Sequence, residues 1–269
     1  MKQVILITGA SSGIGKACAE YLAAKGYCVY GTSRKALQSE IPHFTFLQMD
    51  VTSPASIDAG IQHIIAEQGK IDAVINNAGM GILGALELAT EAEIRQQMET
   101  NFHGVVNVCS AVLPYMRRQR SGKIINISSV GGVMGLPFQG FYSASKFAVE
   151  GYSEALSLEL HRFGVKVTLI EPGDFNTGFT ANRIISEATL NEADYAETAK
   201  RALEIIVKEE TNGSSPTRLA KVIEKVIRRK NPPFRVPVGK FEQVLSIYVK
   251  RYLPAKWYAA ILRSYYKVN

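Results

Sequence analysis

Tyr142 and Lys146 stand four residues apart in Y-S-A-S-K-F-A-V-E-G-Y-S-E-A-L-S-L-E-L, a run whose spacing and small residues predict a helix with both side chains on one face. The chemistry this pair suggests is proton transfer. A free phenol titrates near ~10, and a neighbouring ammonium favours the phenolate, drawing the group toward the range useful at neutral pH. Ser129 closes the apolar run K-I-I-N-I-S-S, which reads as a buried strand entering a Gly-rich loop. Its hydroxyl therefore falls at a strand's carboxyl end, where open α/β sheets bind ligands. A Tyr and a Lys four apart also occur by chance on helices, so the pair needs support from the rest of the chain.

That support begins at the amino end, where V-I-L-I, T-G-A-S-S-G-I-G and K-A-C-A-E-Y-L-A-A-K-G read as buried strand, Gly-rich turn and amphipathic helix ending at Gly26. Such a turn is either a plain tight turn or a phosphate cradle. In the second case Gly9 permits the turn, Gly13 lets a pyrophosphate approach the backbone and Gly15 packs helix against strand. The next strand, Y-C-V-Y-G-T-S-R, ends without a carboxylate, in Thr32, Ser33 and Arg34. A guanidinium and hydroxyls there suit a ribose phosphate rather than free ribose hydroxyls, although Arg34 also fits an ordinary surface position.

F-T-F-L-Q-M-D-V reads as a third strand ending in Asp50, and S-P-A-S-I-D-A-G-I-Q-H-I-I-A-E-Q-G as a capped helix with Pro54 in its first turn. I-D-A-V-I-N-N-A-G is a fourth strand whose Asn76, Ala78 and Gly79 either contact a ligand or brace the centre of the sheet. A long helical stretch from about Thr90 to Arg117 contains Asn101 amid apolar residues, where a satisfied core amide is the plain reading. After the Tyr142 helix, V-K-V-T-L-I-E is a strand broken by P-G-D-F-N-T-G-F-T. Residues 178–215 are less regular, with a helical run in E-T-A-K-R-A-L-E-I-I-V-K-E-E and a turn at N-G-S-S-P; P-T-R-L-A-K-V-I-E-K-V-I-R-R-K is an amphipathic helix, and F-R-V-P-V is a last short strand. This alternation predicts an α/β fold, a doubly wound parallel sheet of Rossmann type, as a single domain over residues 1–269 with a helical C-terminal extension.

Composition narrows the functions. Cys18, Cys28 and Cys109 form no C-x-x-C and lie at no metal-ligand spacing with histidine, so packed thiols and no metal are expected. No apolar run reaches the ~20 residues of a membrane span and the amino end goes straight into the Gly-rich loop, from which a reducing, cytoplasmic setting is expected. The net charge of +7 is uneven: residues 216–269 carry thirteen Lys and Arg against Glu224 and Glu242, a local +11. A basic end of that kind faces an anionic partner or is a solvated face; it carries no nucleic-acid recognition motif.

Taken together, T-G-A-S-S-G-I-G, N-N-A-G, Asn101, Ser129 with Y-S-A-S-K, and P-G-D-F-N-T resemble the short-chain dehydrogenase/reductase family over most of residues 3–178, and the hydroxysteroid and retinol dehydrogenase branch in particular. The resemblance implies strand order 3-2-1-4-5-6-7 and an NADP cofactor across the strand ends. It implies that Gly9, Ser12, Gly13, Ile14 and Gly15 hold the pyrophosphate and adenosine ribose, Arg34 the extra phosphate, Asp50 and Val51 the adenine, and Asn77, Ala78 and Gly79 the inner ribose region. Pro172, Gly173 and Thr177 would position the carboxamide. Tyr142 would be the acid/base, Lys146 the ribose ligand and the depressor of the Tyr142 pKa, Ser129 the holder of the substrate oxygen, and Asn101 the seat of a water leading from Lys146 to solvent. Ser12 stands where many NADP-using relatives have a basic residue, and Asp174 where they have an apolar or small one.

The expected activity is an NADPH-dependent interconversion of ketone and alcohol, or aldehyde and alcohol, on a hydrophobic steroid, retinoid or long-chain lipid such as a keto-sphingoid base. Val133, Met134, Leu136, Phe138, Phe175 and Phe179 are the expected apolar wall. A non-catalytic NADP(H)-binding regulator is the rival reading, and the complete Ser129, Tyr142, Lys146 and Asn101 set argues against it. A homo-oligomer, dimer or tetramer, is expected. Residues 178–215 form the variable substrate-loop region, and residues 240–269 form two basic, aromatic helical segments separated at Pro254. These either fold over the cleft or join a subunit interface, the favoured reading, or else lie on a membrane surface.

Overall fold

The fold is described from a computed structural model over residues 2–268. Its strands are β1 Val4–Ile7, β2 Cys28–Ser33, β3 Phe44–Gln48, β4 Ala73–Asn76, β5 Ile82–Leu83, β6 Gly122–Ile127, β7 Val165–Pro172, β8 Ile184–Ile185 and β9 Arg235–Val238. Seven of them form one sheet in the order β3-β2-β1-β4-β6-β7-β9, and β5 pairs with β8 in a small separate sheet. Every pairing in the main sheet is parallel, and its members taken in chain order run 3-2-1-4-5-6-7 as the sequence resemblance implies.

Strand periodicity explains how one sheet feeds two cores. In β1, Val4 and Leu6 turn to one face and Ile5 and Ile7 to the other, and all four are buried because helices cover both sides. On the first face lie α2 Pro54–Gln68, α4 Gly104–Gln119 and α5 Gly140–Glu159; on the second lie α1 Gly13–Ala24 and α8 Pro216–Arg228. The apolar stripe expected on α8 is present, with Leu219, Ile223, Val226 and Ile227 buried against α1 and the sheet. Between α2 and α4 stands α3 Glu91–Met98, opened by a reciprocal cap in which the Thr90 hydroxyl accepts from Glu93 N at 3.2 Å and the Glu93 carboxylate accepts from Thr90 N at 2.8 Å.

The region expected to be less regular contains β8, α6 Glu187–Asn191 and α7 Ala193–Thr211, the last spanning the helical run that the sequence shows there. β8 adds to β5 through Ile184 N to Gly81 O at 3.0 Å and Ser186 N to Leu83 O at 2.9 Å, so this loop is stitched to the sheet's carboxyl edge. After β9 come α9 Phe241–Tyr252 and α10 Ala255–Tyr266, broken at Pro254 as the sequence predicts. Among the described residues no helix is long and apolar enough to cross a membrane, and no group of three or more His, Cys, Asp or Glu could hold a metal ion.

Candidate active site

The carboxyl ends of the central strands open into one cleft of about 1840 Å³. That exceeds the roughly 300–1,000 Å³ of an ordinary ligand pocket, so a dinucleotide and a second ligand fit together. Ser12 precedes α1 in an extended conformation without capping the helix through its side chain, and Ser11, Ser12, Gly13 and Ile14 line the cleft around the helix start. Gly9 (φ 66°) and Gly13 (φ 55°) occupy the left-handed region, and a Cβ on Gly9 would stand 2.9 Å from the Ala78 backbone. Gly15 lacks room for a Cβ because Asn77 Nδ2 would be 2.5 Å away; it is a packing contact and does not line the cleft. Asn77 Nδ2 in turn donates to Thr8 O and Gly9 O, at 2.9 and 3.1 Å. A cradle kept open by missing side chains, at a helix start, fits a pyrophosphate.

Thr32, Ser33, Arg34 and Lys35 line the same end of the cleft, with Asp50 and Val51 beside them. Lys35 was not singled out from the sequence, although its place next to Arg34 is a signal that could have found it. Asn76 takes the bracing role: it is buried and donates to Asn126 Oδ1 at 2.8 Å. Ala78, Gly79, Pro172, Gly173 and Thr177 line the cleft, and Thr177 packs where a Cβ on Gly13 would meet it at 3.3 Å.

Ser129, Tyr142 and Lys146 reach the same cleft from different elements. Ser129 lies two residues beyond β6 and its Oγ accepts from Gly131 N at 3.0 Å; a Cβ on Gly131 would crowd the Tyr142 ring at 3.3 Å, so this glycine also belongs to the site. Lys146, 6% exposed, donates from Nζ to Ile127 O at 2.8 Å and stands 5.9 Å from the centre of the Tyr142 ring. Burial pulls its ammonium down to about 8, with Glu150 opposing. For Tyr142 the direction expected from sequence is corrected: burial pushes the phenol up, and the Ser129 hydroxyl and Arg183 oppose it while Glu210 and Asp174 add to it. Desolvation of the phenolate outweighs the cations around it when no ligand is bound.

Asn101 takes the satisfied core-amide position that the sequence allowed. It is fully buried in a five-residue π turn, Glu99–His103, and does not line the cleft. Its Oδ1 accepts from Met80 N at 2.9 Å, and its Nδ2 donates to Met80 O at 2.9 Å and Ser145 Oγ at 3.1 Å. The side chain is thereby used up in tying the loop after β4 to α5, and it stands close to Gly79 and to the region of Lys146.

Of the expected apolar wall, Met134, Leu136, Phe175 and Phe179 line the cleft; Val133 and Phe138 do not. The Val133 carbonyl instead accepts from Lys250 Nζ, and Phe138, at φ 57°, packs on Tyr195. Further apolar wall comes from Ile184 of β8, Ile205 and Ile206 of α7, and Leu245, Val249, Ile261 and Leu262 of α9 and α10, so the C-terminal segment folds over the cleft, the favoured expectation. Gln243, Arg183 and Glu210 carry no sequence pattern that could have found them. Gln243 Oε1 accepts from Asp174 N at 3.1 Å and its Nε2 donates to the Asp174 carboxylate, closing the ends of β7 and β9. Asp174 makes no ion pair among the described residues, because nearby Lys240 binds Glu209 at 2.8 Å and Arg183 binds Glu210. Burial, then Glu210 and Glu209, push its carboxyl up to about 6.

A family profile described as short chain dehydrogenase matches residues 3–188. The chain is 59% identical over 267 residues to 3-ketodihydrosphingosine reductase of Bacteroides thetaiotaomicron, covering 99% of each. It is 35% identical over 258 residues to retinol dehydrogenase 8 of Homo sapiens, covering 87% of this chain and 80% of that one. A solved short-chain dehydrogenase from Streptomyces avermitilis matches 99% of this chain and 98% of its own at a TM-score of 0.82 and 32% identity. A short-chain dehydrogenase/reductase from Burkholderia phymatum in complex with NAD matches 93% of both chains at 0.80 and 26%.

Proposed function

The chain belongs to the short-chain dehydrogenase family of oxidoreductases, and from that premise we propose that it is an NADPH-dependent reductase turning the ketone of a long-chain amino ketone into a secondary alcohol. The observation that carries the reading is a single cleft holding Ser129, Tyr142 and Lys146 under an apolar roof from α9 and α10. The nicotinamide, when bound, supplies the hydride. Tyr142 gives its proton to the ketone oxygen, Ser129 holds that oxygen as negative charge develops, and Lys146 binds the cofactor ribose and offsets the phenolate left behind. Gly9, Ser12, Gly13 and Ile14 cradle the pyrophosphate, and Asn77, Ala78 and Gly79 border the inner ribose. Arg34 and Lys35 read the additional phosphate, in a position free of carboxylates at the end of β2.

The substrate class draws on two features. Leu245, Val249, Ile261 and Leu262 suit an alkyl chain, and Asp174, with only the neutral Gln243 as its side-chain partner, suits an ammonium next to the ketone. The 59% identical relative is named for a 3-keto sphingoid base, which has both parts. Incubation with NADPH and a panel comprising a long-chain 2-amino-3-ketone, the same ketone without the amine, a steroid ketone and retinal tests this. The amino ketone is consumed most efficiently; loss of NADPH with no member of the panel would remove the proposal.

A membrane-facing role rests on the opposite side of the same helices. Phe241, Tyr248, Tyr252 and Trp257 of α9 and α10 are exposed and do not line the cleft, with Phe241, Tyr252 and Trp257 at 79%, 79% and 68% exposure. With six cations against Glu242 between Lys240 and Lys267, this face suits an anionic bilayer from which a lipid enters beside Leu245 and Ile261.

A further inference from the structure

Arg183 and Glu210 form an ion pair withdrawn from water, with side chains 1% and 11% exposed. The two terminal guanidinium nitrogens engage the carboxylate, Nη1 at 3.1 Å, and the Thr180 hydroxyl donates to the same group at 2.5 Å. The pair joins the segment before β8 to α7. The guanidinium also lies 5.5 Å from the centre of the Phe179 ring, and Phe179 lies 5.9 Å from the Tyr142 ring at 59°. Gly81 makes room for this stack, since a Cβ there would stand 2.9 Å from Phe179. Arg183 on Glu210 and the adjoining β8 on β5 thus fix the chain just after a ring that packs against the phenol.

We propose that Arg183, paired with Glu210, is a positioning residue for the reaction: it seats Phe179 against Tyr142 and presents a fixed positive charge to the phenol. This rests on the reading of Tyr142 as proton donor. The groups facing the phenol are Lys146 one turn on in α5, Ser129 from the loop after β6, Arg183 before β8, Glu210 from α7 and Asp174 after β7. Arg183 opposes the upward push of burial on the phenol and Glu210 adds to it. Neutralising either partner therefore moves the phenol in opposite senses, whereas simple loss of the clamp would act alike in both variants.

The test uses full-length protein with carbon-labelled tyrosine at the ring carbon bearing oxygen, Tyr142 being assigned from Y142F, together with the pH profile of alcohol oxidation. In R183M the phenol titrates at higher pH than in wild type and oxidation at neutral pH falls about 10-fold; in E210Q it titrates at lower pH. R183K restores the wild-type profile. Shifts of the same sign in R183M and E210Q, or none in either, overturn the proposal. If wild type turned over no substrate, the assigned activity would fail, while the tyrosine titration of the ligand-free protein would still decide the role of Arg183.

Discussion

Lys146 hands its hydrogen bond to the Ile127 carbonyl at 2.8 Å and faces the Tyr142 ring from 5.9 Å, so the end of β6 holds the cation in front of the phenol. Burial works against charge on both groups, raising the phenol and lowering the ammonium to about 8. A bound dinucleotide that engages the ammonium favours its charged form and thereby prepares Tyr142.

The ammonium is present below about pH 8 in the free protein and lost above it, so NADPH affinity in wild type weakens as pH rises through about 8. Lys146→Met weakens binding about 10-fold or more, the order expected for a charge-assisted hydrogen bond, and removes that pH dependence. Tyr142→Phe keeps NADPH affinity and loses turnover by at least ~100-fold. Fluorescence titration of NADPH across pH checks the affinities of wild type and both variants, and a turnover assay checks Tyr142→Phe; an unchanged pH dependence in Lys146→Met contradicts the ribose contact.

Arg34 and Lys35 at the end of β2 predict a preference for NADPH over NADH of at least ~10-fold in kcat/KM. Arg34→Asp reverses it, by removing the cation and placing an acceptor for ribose hydroxyls there. Equal efficiencies of the two cofactors in wild type contradict a phosphate-reading role for this end of the cleft.

Asp174 has two pH consequences. Its folded carboxyl sits at about 6, above the ordinary 3.8, so the fold favours the protonated form: stability from this group is full below the ordinary value and lost as pH rises through about 6. Asp174→Asn, which keeps an acceptor for Gln243, therefore raises the stability of the ligand-free protein at pH 7 by up to about 3 kcal/mol and leaves it unchanged near pH 3. Against substrate the sign is opposite. KM for a cationic amino ketone rises in wild type as pH falls through about 6, and in Asp174→Asn it is raised throughout, with the preference over the amine-free ketone gone. Retained preference in that variant separates Asp174 from the substrate's ammonium.

Because α9 and α10 roof the cleft, deleting residues 240–269 would strip the substrate wall, and point variants are the better probe of membrane contact. Arg251 and Lys256 are exposed. Arg251→Glu/Lys256→Glu lowers affinity for phosphatidylserine vesicles by about 5-fold or more per charge, while reduction of a small ketone persists. Cosedimentation with vesicles at low and high salt checks this, and vesicle binding that ignores both salt and charge reversal argues against the anionic surface.

The parts of this protein written in local code were legible in its sequence. The parallel doubly wound sheet, the Gly9-Gly13 turn, the α5 spacing of Tyr142 and Lys146 and the α8 stripe follow from period, glycine placement and neighbouring residues, whereas the strand order comes from the family resemblance. What escaped depends on distant partners. Gln243 meets Asp174 across 69 positions and Lys250 meets Val133 across 117, pairings that no pattern along the chain records. The direction of the Tyr142 shift escaped because spacing reveals the neighbouring cation but not how far burial removes the phenol from water.

The most direct measurement follows deuterium from NADPH labelled at the transferring nicotinamide carbon into product, using a long-chain 2-amino-3-ketone with wild type and Tyr142→Phe. Wild type gives a secondary alcohol carrying one deuterium on its carbinol carbon in a single stereochemical sense, and Tyr142→Phe, still binding NADPH, gives almost none. Label found elsewhere, or a Tyr142→Phe enzyme as active as wild type, would contradict Tyr142 as the proton donor in this cleft.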